Sequence, residues 1–222
     1  CTRTSQGADG SPITMRLRPG PGPYYAGNTR NAANGANRVA YGLSTTAAWG
    51  DGSPGLGDGH TVSVPFHGGN NNTTSGAFAF TFSMAGSLNP LAGLVYTDTV
   101  AITGICSTAP NKTTPCTVVG ATLTISITAP TTCSITSAPG TLNLSYTSFQ
   151  SVAGAGNVPF AAQCSNGAPF RMNLSPPAGT VLGVTYSLRL GTSPGSATDI
   201  SSTTTYNHIG NGSPVTYYVN AA

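Results

Sequence analysis

The stretch Val119-Gly-Ala-Thr-Leu-Thr-Ile-Ser-Ile127 decides the fold class, because apolar side chains at every second position are separated by Gly, Thr or Ser. A period of two predicts a β-strand that buries one face and exposes the other. No stretch has a helical period, so the chain is predicted to be all-β. The same alternation predicts further strands at Ile13–Leu17, Val39–Leu43, Val62–Phe66, Phe78–Met84, Tyr96–Ile105, Leu142–Tyr146, Val158–Ala162, Phe170–Leu174, Val184–Leu188 and Val215–Val219.

Composition and turn signals agree with this class. Gly (29) and Pro (17) are abundant and charged residues make up 6% of the chain. Dipeptides such as Pro139-Gly140 and Asn211-Gly212 mark tight turns between the predicted strands. The hydrophobic residues, 38% of the chain, fall in alternating runs, which indicates buried faces rather than disorder. We therefore expect antiparallel β-sandwiches.

The charge pattern excludes one class of partner. The formal net charge is +3, it comes from scattered Arg residues, and Lys112 is the single lysine. Because no Lys/Arg cluster forms a stripe that could follow phosphates, nucleic acid is not an expected partner. No apolar stretch approaches the roughly 18 residues needed to cross a bilayer. No signal peptide opens the sequence, so we interpret it as a mature or trimmed chain.

The chain repeats itself. Ile-Thr-Met-Arg-Leu follows Cys1 much as Phe-Arg-Met-Asn-Leu follows Cys164, and Val39–Leu43 corresponds to Val184–Leu188. Such internal similarity predicts two homologous domains. Each copy lacks strands that the other has, so each domain is predicted to be incomplete. The predicted boundaries are a first domain over 1–106, a linker over 107–116 and a second domain over 117–222.

Five cysteines without a C-x-x-C pair or a neighbouring His cluster indicate disulfides rather than a zinc site. Cys133 and Cys164 flank two strands of the second copy, and Cys164 is the counterpart of Cys1, so a Cys133–Cys164 bond is predicted. The partner of Cys1 would then lie upstream of residue 1, and a lipidated N-terminal Cys is the alternative. Cys106 and Cys116 bracket the linker, which predicts a local bond there.

One motif imitates an active site. Gly191-Thr-Ser-Pro-Gly195 is formally a G-x-S-x-G nucleophile motif, and Asp199 and His208 follow it. The residue after the serine is Pro194, which has no N–H for an oxyanion hole, so we predict a surface turn and no enzyme activity. The three histidines and five aspartates also lack the spacing of metal ligands, so neither a metal nor a cofactor is expected.

A family resemblance rests on two stretches. Val39-Ala-Tyr-Gly-Leu-Ser-Thr-Thr-Ala-Ala-Trp-Gly-Asp-Gly-Ser53, followed by Tyr96-Thr-Asp-Thr-Val-Ala-Ile-Thr103, resembles the second half of a spore coat protein U domain. The Tyr-x-Leu strand, the Trp-Gly-Asp-Gly turn and the Tyr-x-Asp-Thr-Val strand occur in that order within residues 30 to 105. The second copy resembles the first half of such a domain more weakly, because Gly191–Gly195 replaces the Trp-Gly-Asp-Gly turn.

The resemblance implies immunoglobulin-like, pilin-like β-sandwich domains in a subunit of an archaic chaperone-usher pilus. Subunits of this family are exported through the periplasm, joined by donor-strand exchange and displayed on the cell surface; some relatives are spore coat components. Two such domains in one chain imply a tip adhesin, with the adhesin domain first and the pilin domain second. The implied partners are neighbouring pilin subunits, a periplasmic chaperone, an outer-membrane usher and an abiotic or host surface.

Loop aromatics and apolar tips are the candidate surface-binding residues. They are Tyr24 and Tyr25 in a Pro-Gly-rich loop, Trp49, and Leu56 between two Asp-Gly turns. For Trp49, packing in the core or at a sheet edge is an equal interpretation. The alternative function is a cell-surface or spore-coat module that binds carbohydrate through these loops and never polymerises.

Overall fold

The computed structural model describes residues 13–20, 22–26, 29–44, 60–64, 81–86, 88–107 and 120–221. Within these ranges the chain forms fourteen β-strands and no helix, and every strand pair is antiparallel, so the all-β prediction is confirmed. The chain divides into two compact units. Unit 1 consists of residues 1–88 and 95–128, and unit 2 of residues 89–94 and 129–222.

The strands of unit 1 form one seven-stranded sheet in the order β4-β1-β6-β2-β3-β5, with β7 also paired to β6. The hairpin between β2 and β3 turns through Gly35, whose φ of 57° suits a two-residue turn. The strands are β1 (Ile13–Pro19), β2 (Arg30–Asn34), β3 (Asn37–Ser44), β4 (His60–Val64), β5 (Thr81–Ser83), β6 (Val95–Ser107) and β7 (Ala121–Thr128).

Strand β6 is the centre of unit 1. It spans 13 residues and pairs with β7, with β1 and with β2. Tyr96 and Val100 are fully buried while Thr97 and Thr99 between them are exposed, as the period of two predicts. The buried face of this sheet is completed by Val39 and other apolar side chains, namely Tyr41, Leu43, Ile125 and Ile127.

Unit 2 has a five-stranded sheet in the order β11-β12-β14-β9-β8 and a two-stranded pair, β10-β13. Its core is a cluster of Phe160, Ala162, Leu190 and Tyr217, against which further apolar side chains pack. The strands are β8 (Cys133–Ser137), β9 (Gly156–Cys164), β10 (Pro169–Phe170), β11 (Ala178–Val181), β12 (Val184–Gly191), β13 (His208–Ile209) and β14 (Val215–Ala221).

The division between the units differs from the predicted boundary. Strand β7 was expected in the second domain, but it pairs with β6 along its whole length, from Val95 opposite Thr128 to Ile102 opposite Ala121. The buried side chain of Ile127 lies opposite Tyr96, so β7 completes the core of unit 1 rather than opening unit 2. Most of the predicted linker lies outside the described residues.

Two predicted strands of unit 2 are wrong, although some of their apolar side chains pack against the rest of the unit. Residues 138–155 contain no strand, and Leu142 instead packs close to Gly156. In the stretch from Phe170 to Leu174, only Phe170 belongs to a strand, while Met172 and Leu174 pack against the core without a ladder. Alternation therefore reported burial correctly for Phe170, Met172 and Leu174 but not for Leu144 and Tyr146, which are 41% and 57% exposed. In both stretches the backbone pairing depended on neighbours distant in sequence.

Candidate functional site

The sheet of unit 2 has one apolar face, and the strand register shows which side chains share it. Ile135 of β8 lies opposite Ala162 of β9, which lies opposite Val215 of β14. In the same way Leu190 of β12 lies opposite Val219 of β14. Directly opposed side chains in an antiparallel pair occupy the same face. One continuous apolar face therefore crosses β8, β9, β14 and β12.

The centre of this face is packed but its margins are bare. Ala162 and Leu190 are 7% and 2% exposed. Ile135 at one margin is 57% exposed, and at the other margin Val181 and Val184, which lie opposite each other on β11 and β12, are 60% and 39% exposed. Large aliphatic side chains in a finished sandwich are buried by a second layer. The face is therefore covered only in its middle.

Strand β8 ends the sheet. All five of its residues are exposed, and in the described part of the chain its ladder runs along one side, to β9. The disulfide Cys133–Cys164 joins directly opposed residues at the start of the strand, which confirms the predicted bond. A shift of register between Ile135 and Ser137 makes the ladder irregular. This edge strand is covalently attached but otherwise weakly covered.

A groove of about 360 Å³ lies between the segment after β8 and the β11-β12 turn. Tyr146 and Val152 line it from one side and Val184 and Tyr186 from the other. Tyr146 is 57% and Val152 75% exposed, so apolar surface continues from the sheet margin into this groove.

Two turns beside the groove carry fully exposed apolar residues, Phe149 and Leu182. These two, which we call the apolar tips, are also the non-glycine residues with positive φ in the described part of the chain, at 64° and 51°. A bulky side chain in the left-handed region is uncommon, and full exposure gives it no compensating burial. The sequence analysis missed both tips, although the Leu182-Gly183 pair in a two-residue turn was a readable signal.

Unit 1 shows the opposite arrangement, with polar groups buried inside its sheet. Arg30 and Asp98 are 3% and 2% exposed. The Tyr41 hydroxyl donates a hydrogen bond of 2.5 Å to Asp98 Oδ2, and Arg30 Nη1 donates one of 2.7 Å to the Gly20 carbonyl. Burial raises the pKa of Tyr41 well above its ordinary value, the hydrogen bond and charge of Asp98 add to this, and Arg30 opposes it.

The predicted surface residues Tyr24 and Tyr25 lie on a loop that contacts Arg30 of this network, together with Arg38 and Asn31. The Arg38 guanidinium sits over the Tyr24 ring at 4.3 Å from its centroid, and that of Arg30 over the Tyr25 ring at 5.9 Å. Asn31 Nδ2 also donates to the Tyr24 carbonyl at 3.1 Å. Tyr24 is thus exposed but held in place, as a preformed contact requires. Trp49 and Leu56 lie outside the described residues.

The G-x-S-x-G segment has a structural explanation. Gly195 has a φ of 68°, which favours glycine, and a Cβ on Gly191 would lie 2.7 Å from the side-chain atom Asn220 Nδ2, so each glycine has its own structural reason. Asp199 accepts hydrogen bonds from the N–H groups of Leu190 and Ser201. His208 bonds through Nε2 to the Ile200 carbonyl at 3.1 Å. The motif's Asp and His therefore have structural partners.

Among the described residues, no group of three or more His, Cys, Asp or Glu side chains is arranged to hold a metal ion. No helix there is long and apolar enough to cross a membrane. The side chains of Cys106 and Cys116, and therefore the predicted bond between them, lie outside what the structure describes.

Comparison with known proteins adds little. No family model matches the chain, and no curated protein matches it. Among solved structures, the chain is similar to one in the crystal structure of the CsuC-CsuE chaperone-tip adhesion subunit pre-assembly complex from archaic chaperone-usher Csu pili of Acinetobacter baumannii. The identity is 11%, the TM-score is 0.43, and the match covers 100% of this chain and 81% of that chain. A TM-score below 0.5 does not establish a shared fold.

Proposed function

We propose that this chain is a structural and adhesive subunit of a bacterial surface pilus, and that unit 2 accepts a β-strand from a neighbouring subunit. The observation that carries the proposal is the contrast along one sheet face, from Leu190 at 2% exposure to Ile135 at 57%. A bare apolar margin beside an open edge strand promotes aggregation unless another chain covers it. The resemblance of Val39–Ser53 and Tyr96–Thr103 to spore coat protein U domains supports the same role.

The geometry suggests how the strand binds. A donor strand placed along β8 would take up main-chain hydrogen bonds at the edge of the sheet, while its alternate side chains cover Ile135. Four or five buried apolar side chains contribute on the order of 10 kcal/mol before the entropy of ordering is subtracted. Folding of unit 2 and assembly of the fibre would then be coupled.

The position in the fibre is also part of the proposal. Two homologous domains suit a tip adhesin, in which the domain around unit 1 contacts an abiotic or host surface and unit 2 joins the next subunit. A periplasmic chaperone would cover the margin of β8 until an outer-membrane usher passes the subunit to its neighbour. The assembled protein would lie on the outside of the cell.

The adhesive contacts are proposed for side chains that are exposed and, where their contacts are described, held in place. Tyr24 and Tyr25 are held by cation–π contacts and remain candidates, as do Trp49 and Leu56. The apolar tips, which lie on unit 2, add a second exposed apolar surface. Fully exposed apolar side chains on turns suit a hydrophobic surface better than a sugar.

The test is peptide complementation of the full chain. A peptide of alternating apolar and polar residues is added, and thermal unfolding is followed. At a concentration about 100 times its dissociation constant, the peptide should add about 2.7 kcal/mol to the free energy of unfolding of unit 2. A peptide of the same composition with its apolar residues grouped together should have no effect, because it cannot place them all on one face.

Two variants make the test specific. Ile135→Asp places a charge on the apolar margin and should abolish the stabilisation by the peptide. Ser134→Asp is the matched control on the same strand, because neighbouring side chains point to opposite faces, and it should keep the stabilisation. Full stabilisation of Ile135→Asp, or none of the parent chain, would contradict strand acceptance. A parent chain that stays monomeric and ignores the peptide would favour the non-polymerising binding module.

A further inference from the structure

A second cavity of unit 2 lies on the other face of its sheet. Arg189 of β12 lies opposite Asn220 of β14, which lies opposite Asn157 of β9. These three are one residue out of step with the apolar row of Leu190 and Val219, so they occupy the opposite face. The cavity they line has a volume of about 280 Å³, and its remaining lining residues are small: Ala155, Gly156, Gly195, Ser196, Ala197 and Ala221.

One wall of the cavity is held rigidly by Asn220. This side chain is 5% exposed, its Oδ1 accepts a hydrogen bond of 2.7 Å from the Gly195 N–H, and its Nδ2 donates to the Ser193 carbonyl at 3.4 Å. A Cβ on Gly191 would come within 2.8 Å of Ser196 Cβ, so the loop closes only over glycine. The G-x-S-x-G segment thus acts as a preformed wall.

The cavity contains polar groups with spare hydrogen-bonding capacity. The Arg189 guanidinium has five N–H donors, and its hydrogen bond to protein is one of 3.4 Å from Nη1 to the Ala197 carbonyl. The exposed Asn157 carboxamide makes no side-chain hydrogen bond within the described part of unit 2. A planar cation and a carboxamide therefore share a wall whose other members carry no charge.

Unit 2 has few charges, and its one acid acts electrostatically on Arg189 without lining the cavity. Its sequence contains two arginines, Arg171 and Arg189, and one acid, Asp199. Arg171 lies over the Tyr206 ring at 5.5 Å. Partial burial raises the pKa of Asp199, but hydrogen bonds from Ser201 and Leu190 and the charge of Arg189 outweigh it and lower that pKa. The Asp199 carboxylate is thus bound to backbone N–H groups and does not line the cavity.

We propose that this cavity binds a small hydroxylated carboxylate of the uronic acid class, with Arg189 paired to the carboxylate and Asn157 bonded to a hydroxyl. A guanidinium fork matches the two oxygens of a carboxylate, and a carboxamide can both donate to and accept from a hydroxyl. The cavity volume of about 280 Å³ lies just below the usual range of ligand pockets, so it suits nothing larger than one sugar ring. The site is independent of strand uptake, since it uses the opposite face.

The experiment titrates the full chain with glucuronate and, separately, with glucose, and follows backbone amide chemical shifts. Glucuronate should shift the amides of Asn157 and Gly195, and glucose should bind at least about tenfold more weakly because it has no carboxylate. Arg189→Gln should weaken glucuronate binding by about tenfold or more, and Asn157→Ala by a few-fold. Arg171→Gln is the matched control and should bind as the parent chain does.

Several results would overturn the site. Equal affinity for glucuronate and glucose would exclude the carboxylate pairing. Equal losses in Arg171→Gln and Arg189→Gln would show a general charge effect rather than a site. Each variant's thermal unfolding midpoint is measured as well, so an Arg189→Gln chain that is folded and binds glucuronate like the parent would also refute the assignment.

Discussion

Strand β6 of unit 1 and strand β8 of unit 2 show two outcomes for a strand that alternates apolar and polar residues. Strand β6 has three pairing partners, and its inward side chains Tyr96 and Val100 are fully buried. Strand β8 is described with one partner, and its inward Ile135 is mostly exposed. Both alternate, so pattern alone does not distinguish a completed sheet from one that is open at its edge. What distinguishes them is the supply of a further strand, which β7 provides in unit 1.

The two units also differ in how they fix a unique structure. Unit 1 buries Arg30, Tyr41 and Asp98, and a buried polar network is stable only with its partners in register. Unit 2 instead joins its edge strand to the sheet by a disulfide between Cys133 and Cys164. If unit 2 accepts a strand from outside, the covalent bond keeps β8 in position while that edge is open.

The largest expected effect comes from removing that bond. In the double variant Cys133→Ala, Cys164→Ala, the free energy of unfolding of unit 2 should fall by about 4 kcal/mol, because the bond closes a loop with a sequence separation of 31. Urea unfolding combined with amide hydrogen exchange would assign the loss to unit 2. Reducing agent should reproduce the loss in unit 2 of the parent chain and have no further effect on unit 2 of the variant. An unchanged urea midpoint of unit 2 would contradict the role given to the bond.

The next largest effect is expected from truncating a core side chain, and the loss of stability should differ between the two sheets. Leu43→Ala removes a side chain that is 2% exposed in unit 1, and it should lower the free energy of unfolding by about 3 kcal/mol. Ile135→Ala at the bare margin should lower that of unit 2 by less than about 0.5 kcal/mol in the absence of a donor peptide. Urea unfolding measures both. Equal losses would mean that Ile135 is already buried in solution and that the margin is closed.

Two buried tyrosines should contribute differently to the loss of stability at alkaline pH. Burial and the bond to Asp98 raise the pKa of Tyr41, whereas burial alone raises that of Tyr217. A raised pKa means that the folded state favours the neutral phenol, so the associated stability is present below about pH 10 and is lost as pH rises above it. In Tyr41→Phe this alkaline loss should shrink, though stability at neutral pH should fall by about 1 to 2 kcal/mol because Asp98 loses its donor.

Tyr217→Phe is the matched change in unit 2. It removes no hydrogen bond that links a buried charge, so stability at neutral pH should change by less than about 0.5 kcal/mol. The measurement is the thermal midpoint of each variant between pH 7 and about 11, compared with the parent. An alkaline loss in Tyr41→Phe as steep as in the parent would show that the Tyr41–Asp98 bond does not control it.

The local part of this structure could be read from sequence, and the non-local part could not. Alternation located the cores of β3, β9, β12 and β14, and the internal repeat identified the Cys133–Cys164 pair. Alternation could not assign β7 to a unit, because Ile125 and Ile127 would suit the core of either unit. Only the pairing of β7 with β6 decides. Alternation also placed a strand at Leu142–Tyr146, where packing of Leu142 and Leu144 near Gly156 replaces a ladder.

The candidate sites also have a local part that the sequence predicted and a non-local part that it did not. Tyr24 and Tyr25 were found as loop aromatics, yet their cation–π contacts with Arg38 and Arg30 depend on the fold. The cavity row of Arg189, Asn220 and Asn157 joins three strands that are far apart in sequence, so no spacing rule could reveal it. Exposure of Ile135 is likewise a property of the sheet rather than of its own segment.

A modest effect is expected at the apolar tips, and its sign is opposite to that of the preceding predictions. Leu182→Gly replaces a fully exposed residue at a φ of 51° with one that adopts this conformation without strain. The free energy of unfolding of unit 2 should therefore rise by about 0.5 to 1 kcal/mol, after the extra freedom of glycine in the unfolded chain is subtracted. Adsorption of the chain to a hydrophobic surface should fall at the same time. Val181→Thr, which leaves the turn unchanged, is the control that should not stabilise. A Leu182→Gly chain that is less stable than the parent would mean that this side chain has a partner in solution, and the tip would then be part of an interface rather than an exposed contact.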